Sequence, residues 1–186
     1  MTNVVDLNTG ASAMPEYTSV ADGLAWERKW LPAYRQIIGY YAMRIASPHE
    51  DTELSTDMVV LEALGGLKIG CRLRTPGYAH FGDFTITCRR ETGSRCEWHK
   101  MILGGMADWF FYGHAKVEYP PKVSNIYPWL ILNLKIARRW MIENTGPELG
   151  PNKDQPGRRC WFFRFHIQEI LNEIGPEVFI AKSNSR

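Results

Sequence analysis

From Thr56 to His114 the chain is a series of short apolar runs separated by strong turn signals, which limits what it can fold into more than any other feature. Met58–Leu64 and Leu67–Leu73 flank Gly65-Gly66, a pattern that predicts two strands joined by a two-residue hairpin. After TPGYAHFG, residues 83–89 alternate and predict a third strand. Arg95–Leu103, closed by Gly104-Gly105, predicts a short helix. Ala107–Tyr112 predicts a buried strand.

Outside this stretch the pattern is helical first and mixed later. Leu24, Trp26, Trp30, Tyr34, Ile37, Ile38 and Tyr41 recur every three or four residues, so Ser19–Ile45 predicts a helix with one apolar face. Asp22 is a candidate cap, and Pro32 predicts a kink or a break. Residues 1–18 predict a loose arm. Residues 19–186 predict a single domain, with an α+β extension from about residue 126. In that extension Tyr127–Leu134 is apolar and leads into a helix to about Asn144. Thr145–Gly157 carries three prolines and three glycines and predicts a long loop. Cys160–Phe165 and Val178–Ala181 predict strands around a short helix, IQEILNEI. The fold expected is α/β: a long N-terminal helix, then a central mixed sheet of about four to six strands with flanking helices, in an αβββαβ-like order.

Bulk properties exclude some classes. A hydrophobic fraction of 45% in 186 residues is enough for a real core, and no apolar run reaches the ~18 residues a membrane helix needs. The opening MTNVVDLNTGASAMPEY lacks the basic start and apolar centre of a signal peptide. The four cysteines show no CxxC spacing, which suits a reducing cytoplasm. The C-x7-C-x2-H spacing of Cys88, Cys96 and His99, with His114 further on, lacks the paired ligands of a structural zinc site.

Charge is unevenly placed. Residues 1–62 hold four basic residues against nine acidic ones, and residues 63–186 hold 18 against 11. Residues 68–100 and 135–164 each carry seven basic and three acidic residues. Basic patches of this kind suit a phosphate-bearing partner or a solvated surface. Arg72 and Arg74 alternate with Leu73, so both belong to one face of their strand. They would either pair with Asp57 or Asp83 or grip phosphate. Arg89, Arg90 and Arg95 are the further candidates for nucleic-acid contact. Tyr112 and His114 alternate on one face at a strand end, and Trp98 and Trp109 flank the region as candidate base-stacking side chains. No Walker pattern, GxGxxG or GxSxG occurs.

The order of these elements, with Asp57 opening an apolar strand, resembles the core of the PD-(D/E)XK nuclease superfamily over roughly residues 20–114. The resemblance implies that Asp57 is the first metal-holding acid and that the family's (E/Q)-x-K falls at Arg72-Leu73-Arg74. Arg74 would replace the lysine as a cation. Arg72 cannot replace the acid, because a guanidinium is always cationic and has no lone pair to give. Glu97, three residues before Lys100, or Glu27 on the first helix would then supply the second carboxylate. On that scheme Asp57 and Glu97 hold Mg²⁺, and Arg74 or Lys100 steadies the nucleophile in phosphodiester hydrolysis. TDM, RLR, GDFTI, the Glu-x-x-Lys segment and DWFFYGHA are also similar to small proteins of bacteria, phages and plasmids. Two expectations follow: a metal-dependent endonuclease acting on DNA, or a catalytically degenerate nuclease fold. The second would bind nucleic acid, or would act on a nucleic-acid-processing or defence complex as an inhibitor or interaction protein. A structural component without a nucleic-acid role is the third alternative.

Overall fold

Along Trp109–Ala115 neighbouring side chains go to opposite sides, and both sides are buried. Phe110 and Tyr112 enter one core, while Phe111 and Ala115 enter another. A strand that is apolar on both faces must lie inside a sheet covered on both sides. The computed structural model has that architecture. It describes residues 20–39, 43–47, 49–50, 56, 58–60, 66–74, 82–115, 122, 125–151 and 159–183.

The elements are α1 (Val20–Ile38), β1 (Met43–Ile45), β2 (Met58–Val60), β3 (Leu67–Arg74), β4 (Asp83–Arg90), a π-helix (Trp98–Leu103), β5 (Trp109–Ala115) and β6 (Ile126–Asn133). After these come α2 (Leu134–Glu143), β7 (Cys160–His166), α3 (Ile167–Glu173), a 3-10 turn (Pro176–Val178) and β8 (Phe179–Lys182). Among the described residues the central sheet has six strands in the order β1-β2-β3-β5-β6-β8. Only β3 and β5 run parallel; the other neighbours are antiparallel. The protein is thus an α/β fold with a central mixed sheet and flanking helices, as its pattern predicts. Strands β6 and β8, both after residue 125, extend the same sheet. No helix among the described residues is long and apolar enough to cross a membrane.

Each face of the sheet has its own core. On one face Trp30, Ala33 and Tyr34 of α1 pack on Ile69, Leu73, Phe111 and Ile131, with Tyr34 edge-on to Phe111 at 5.2 Å between centroids. On the other face a two-stranded antiparallel ribbon, β4–β7, lies with the π-helix, α2 and α3. Phe84 of the ribbon stacks on Phe165 at 5.5 Å and meets Phe110 and Tyr112 of the sheet.

Four local expectations change. The first helix ends at Ile38, not Ile45, because Gly39 takes a left-handed φ of 81° and sends its N–H back to the Arg35 carbonyl at 2.8 Å. Met43–Ile45 is then free to form an edge strand. Pro32 lies within a single helix. Gly65-Gly66 is not a two-residue hairpin: Val60 pairs with Leu67, so six residues connect β2 to β3. The third strand, β4, leaves the central sheet and pairs with β7 from Asp83↔His166 to Arg90↔Cys160. Period-two alternation states which face of a strand is apolar, but not which sheet receives it. The predicted helix at 95–103 is a π-helix, in which the Gly104 N–H reaches the His99 carbonyl five residues back at 3.0 Å. The predicted arm, residues 1–18, lies outside the described residues.

Candidate functional site

The parallel pair β3–β5 sets Arg72 beside Tyr112 and Arg74 beside His114. Paired residues of adjacent strands share a face, so all four belong to the face covered by the ribbon. Ligand sites of open α/β sheets lie at the carboxyl ends of such strands. Arg74 and His114 occupy those ends.

Arg72 is paired, and its partner is Glu97 at the start of the π-helix. Arg72 Nη2 donates to Glu97 Oε1 at 2.5 Å and to Thr87 Oγ1 at 2.5 Å, and Nη1 reaches the Thr85 carbonyl at 3.4 Å. Glu97 Oε2 accepts the Thr87 backbone N–H at 2.8 Å. The two side chains are only 14% and 20% exposed. Burial pushes the Glu97 carboxyl upward, but the Arg72 charge and the bonds from Thr87 and Arg72 outweigh it and hold the group below its ordinary value. Glu97 is therefore a half-buried carboxylate with a cation already in place. Arg74 Nη2 donates to Thr85 Oγ1 at 3.1 Å. Both guanidinium carbons lie over the Phe162 ring, at 5.5 Å for Arg72 and 5.0 Å for Arg74. The expected common face of the two arginines is present, and among the described residues the ion-pair partner of Arg72 is Glu97.

The other predicted residues divide between core and surface. Lys100 is buried in the π-helix, while Glu97 turns to Arg72 and Thr87. Arg89, Arg90 and Arg95 are exposed. Arg89 sits 3.6 Å above the Trp161 ring centroid and pairs with Glu148 at 2.9 Å. Arg90 and Arg95 make no ion pair among the described residues. Trp98 is buried against Phe163 and Phe165 and is core, so it is not a platform for bases. Trp109 packs on the α1 side of the sheet, facing away from the arginines. Asp57 and the side chain of Glu27 lie outside the described residues.

Asp108 stands at the opposite end of β5. It accepts the Lys68 N–H at 3.0 Å, pairs with Lys135 at 3.3 Å and joins the starts of β3 and α2. Six residues of strand, roughly 20 Å, separate it from His114. Cys96 Sγ is 3.0 Å from His99 Nδ1, and no group of three His, Cys, Asp or Glu side chains converges among the described residues. Both Glu97 oxygens are already engaged, by a guanidinium and by a backbone N–H. The described part of the expected Mg²⁺ site therefore does not fit a hard cation.

Beside His114 is a half-open cavity of about 110 Å³ between the central sheet and the ribbon. Asp83, Tyr112, His114, Leu130, Ile167 and Lys182 are among its lining residues. His114 is 4% exposed, and its Nδ1 lies 3.4 Å from the Pro128 carbonyl. A carbonyl only accepts, so Nδ1 carries the proton and Nε2 carries a lone pair. Nε2 is buried without a hydrogen-bond partner among the described residues. Such a group costs about 1–3 kcal/mol. Burial first, and then the Arg74 charge, lower the imidazole pKa, with the Pro128 contact opposing them.

Sequence reasoning passed over Phe162, Trp161, Thr85 and Thr87. The alternation of CWFFRFH was a signal that one aromatic face would be left over once the other entered the core. No protein-family model, no curated protein and no solved structure matches the chain.

Proposed function

We propose that the protein binds nucleic acid, DNA first, along the rim of the β4–β7 ribbon, as a nuclease-like fold in which Arg72–Glu97 builds the domain and does not hold a metal. One observation carries this reading: Arg89 is held over Trp161, beside exposed Arg90 and Arg95. Arg89 spends Nε and Nη2 on Glu148, which leaves Nη1 for a phosphate. Arg90 and Arg95 add two cations. The resemblance to phage, plasmid and bacterial proteins suggests a cytoplasmic setting, and four free cysteines suit its reducing conditions.

The test is fluorescence anisotropy with duplex and single-stranded DNA across a salt series. Binding should weaken steeply with salt, with a log–log slope of roughly −2 to −3 for three phosphate contacts. Arg90→Glu/Arg95→Glu should flatten that slope. Incubation with Mg²⁺, Mn²⁺ or EDTA, beside Asp57→Ala, separates binding from hydrolysis. Metal-dependent cleavage lost in Asp57→Ala would overturn the non-catalytic reading. Neither cleavage nor salt-sensitive binding would favour a protein partner.

A further inference from the structure

Arg89 stands on the rim with one edge of its guanidinium already filled. Its Nε donates to Glu148 Oε2 at 3.1 Å, and its Nη2 donates to the same oxygen at 2.9 Å. Two N–H groups on an anionic partner is also how a guanidinium grips a phosphate. Glu148 therefore holds the place that a backbone phosphate would take.

Three features decide how firmly it holds that place. The side chains of Arg89 and Glu148 are 50% and 39% exposed, and an exposed ion pair favours its closed form by a factor of about five at most. Arg89 has a second support, because its guanidinium carbon lies 3.6 Å from the Trp161 ring centroid. Glu148 is brought to the rim by its neighbour. The Leu149 N–H donates to the Phe162 carbonyl at 2.9 Å, and the Phe162 N–H donates to the Leu149 carbonyl at 3.4 Å. Residues 142–148 are exposed and Leu149 is half-buried, so the acid hangs from a fixed point next to Trp161 at the end of an exposed stretch. A tethered group competes at a high effective concentration. An exposed side chain also swings away without disturbing the core.

We propose that Glu148 is a built-in competitor for phosphate at Arg89, which fills the Nε–Nη2 edge in the free protein and yields it to a backbone phosphate of a bound strand. The strand as the source of that phosphate rests on the nucleic-acid reading; the competition is a property of Arg89, Glu148 and Trp161. With Glu148 in place Arg89 offers Nη1, and with Glu148 displaced it offers the two-bond edge. Phosphate contacts carry no sequence information, so Glu148 lowers the affinity for every strand alike.

The experiment compares the full chain with Glu148→Ala, Arg89→Ala and Arg89→Ala/Glu148→Ala, by fluorescence anisotropy with one labelled DNA duplex across a salt series. Glu148→Ala should tighten binding at least about threefold near 0.1 M salt and steepen the log–log slope by about 0.9, the signature of one added phosphate contact. In the Arg89→Ala background the same change should give no gain, because the edge it uncovers is gone. A gain that survives there would be a general charge effect and would overturn the proposal.

A second arm titrates inorganic phosphate and follows the Arg89 Nε–H resonance by NMR. Phosphate should bind Glu148→Ala at least about threefold more tightly than the unchanged protein. Tighter phosphate without DNA binding by either protein upholds the competition and overturns the nucleic-acid reading. DNA binding with the same strength and slope in the presence and absence of Glu148 upholds that reading and overturns the competition. No phosphate-dependent shift at Arg89 in Glu148→Ala also overturns the competition.

Discussion

Removing Glu97 should be among the most damaging single changes at the surface between β3 and the ribbon. Glu97→Ala deletes the Oε1 bond to Arg72 and the Oε2 bond to the Thr87 N–H. It leaves a guanidinium that is 14% exposed, with Thr87 Oγ1, the Thr85 carbonyl and the Phe162 ring as neutral company. Breaking one side of a buried ion pair costs about 3–5 kcal/mol. The remaining neutral partners put this site at the lower end, about 3 kcal/mol, or roughly 6–12 °C in Tm for a chain of this size. Arg72→Met alone should cost a similar amount. Arg72→Met/Glu97→Leu should cost much less than the sum, because no charge is stranded, with a coupling of about 2 kcal/mol. The pair also sets an acid limit. The folded carboxyl lies below its unfolded value, so its contribution is complete above the ordinary glutamate pKa, about 4.3, and is lost as pH falls through the folded value. Urea unfolding of the four proteins at pH 7, repeated between pH 5 and pH 3, measures both effects. A Glu97→Ala cost below about 1 kcal/mol, or single costs that simply add in the double variant, would refute the stranded-charge argument.

Three further outcomes follow from single atoms. A Cβ at Gly113 would meet Ile126 Cγ2 at 2.9 Å and the Trp129 Cβ at 3.2 Å, so Gly113→Ala should cost about 1–3 kcal/mol in urea unfolding. His114 has a folded pKa below its unfolded value of about 6.5, so stability should fall as pH drops through 6.5 towards the folded pKa and then level off. His114→Gln should flatten that slope, and an NMR titration of the imidazole locates the folded value. Burial pushes the Cys88 thiol up to about 11, with Glu148 and Cys96 adding to it, so mass spectrometry after alkylation at pH 8 should find Cys88 unmodified until the protein is unfolded.

What was legible in the sequence follows from what local pattern encodes. The runs at β3, β4, β5 and β7 were readable because alternation and apolar content are written in neighbouring residues. The fate of β4 was not, because its partner β7 begins 70 residues after Arg90 and Asp83–Arg90 looks the same in either sheet. Ile126–Asn133 reads as a run that leads into a helix. It is the strand β6, and the helix starts only where Asn133 accepts the Lys135 N–H at 3.1 Å. Among site residues, the shared face of Arg72 and Arg74 was readable from period two. The pairing of Arg72 with Glu97 was not, because 25 residues and the π-helix separate them in the chain.

That pairing changes what the arginine at position 72 means. Read against the nuclease pattern, Arg72 is a missing acid. In the fold it is half of a neutral unit that ties β3 to Thr85 and Thr87 of the ribbon and to Glu97, the residue that precedes the π-helix. A metal-holding carboxylate must stay available to a cation, whereas Glu97 already has one 2.5 Å away. Scaffold chemistry therefore occupies the position where catalysis would otherwise be expected. One strand over, at the end of β5, His114 has one ring nitrogen against the Pro128 carbonyl and the other buried without a hydrogen-bond partner among the described residues. Placing an acid at position 72 with Arg72→Glu would face Glu97 with a second half-buried carboxylate, and the two could not both ionise without a cation between them. That variant should be destabilised at neutral pH and recover stability on adding Mg²⁺ or Mn²⁺ only if a third carboxylate stands near. Thermal melts of Arg72→Glu with and without Asp57→Ala, at increasing metal, decide whether the acid once expected at position 57 still faces this site.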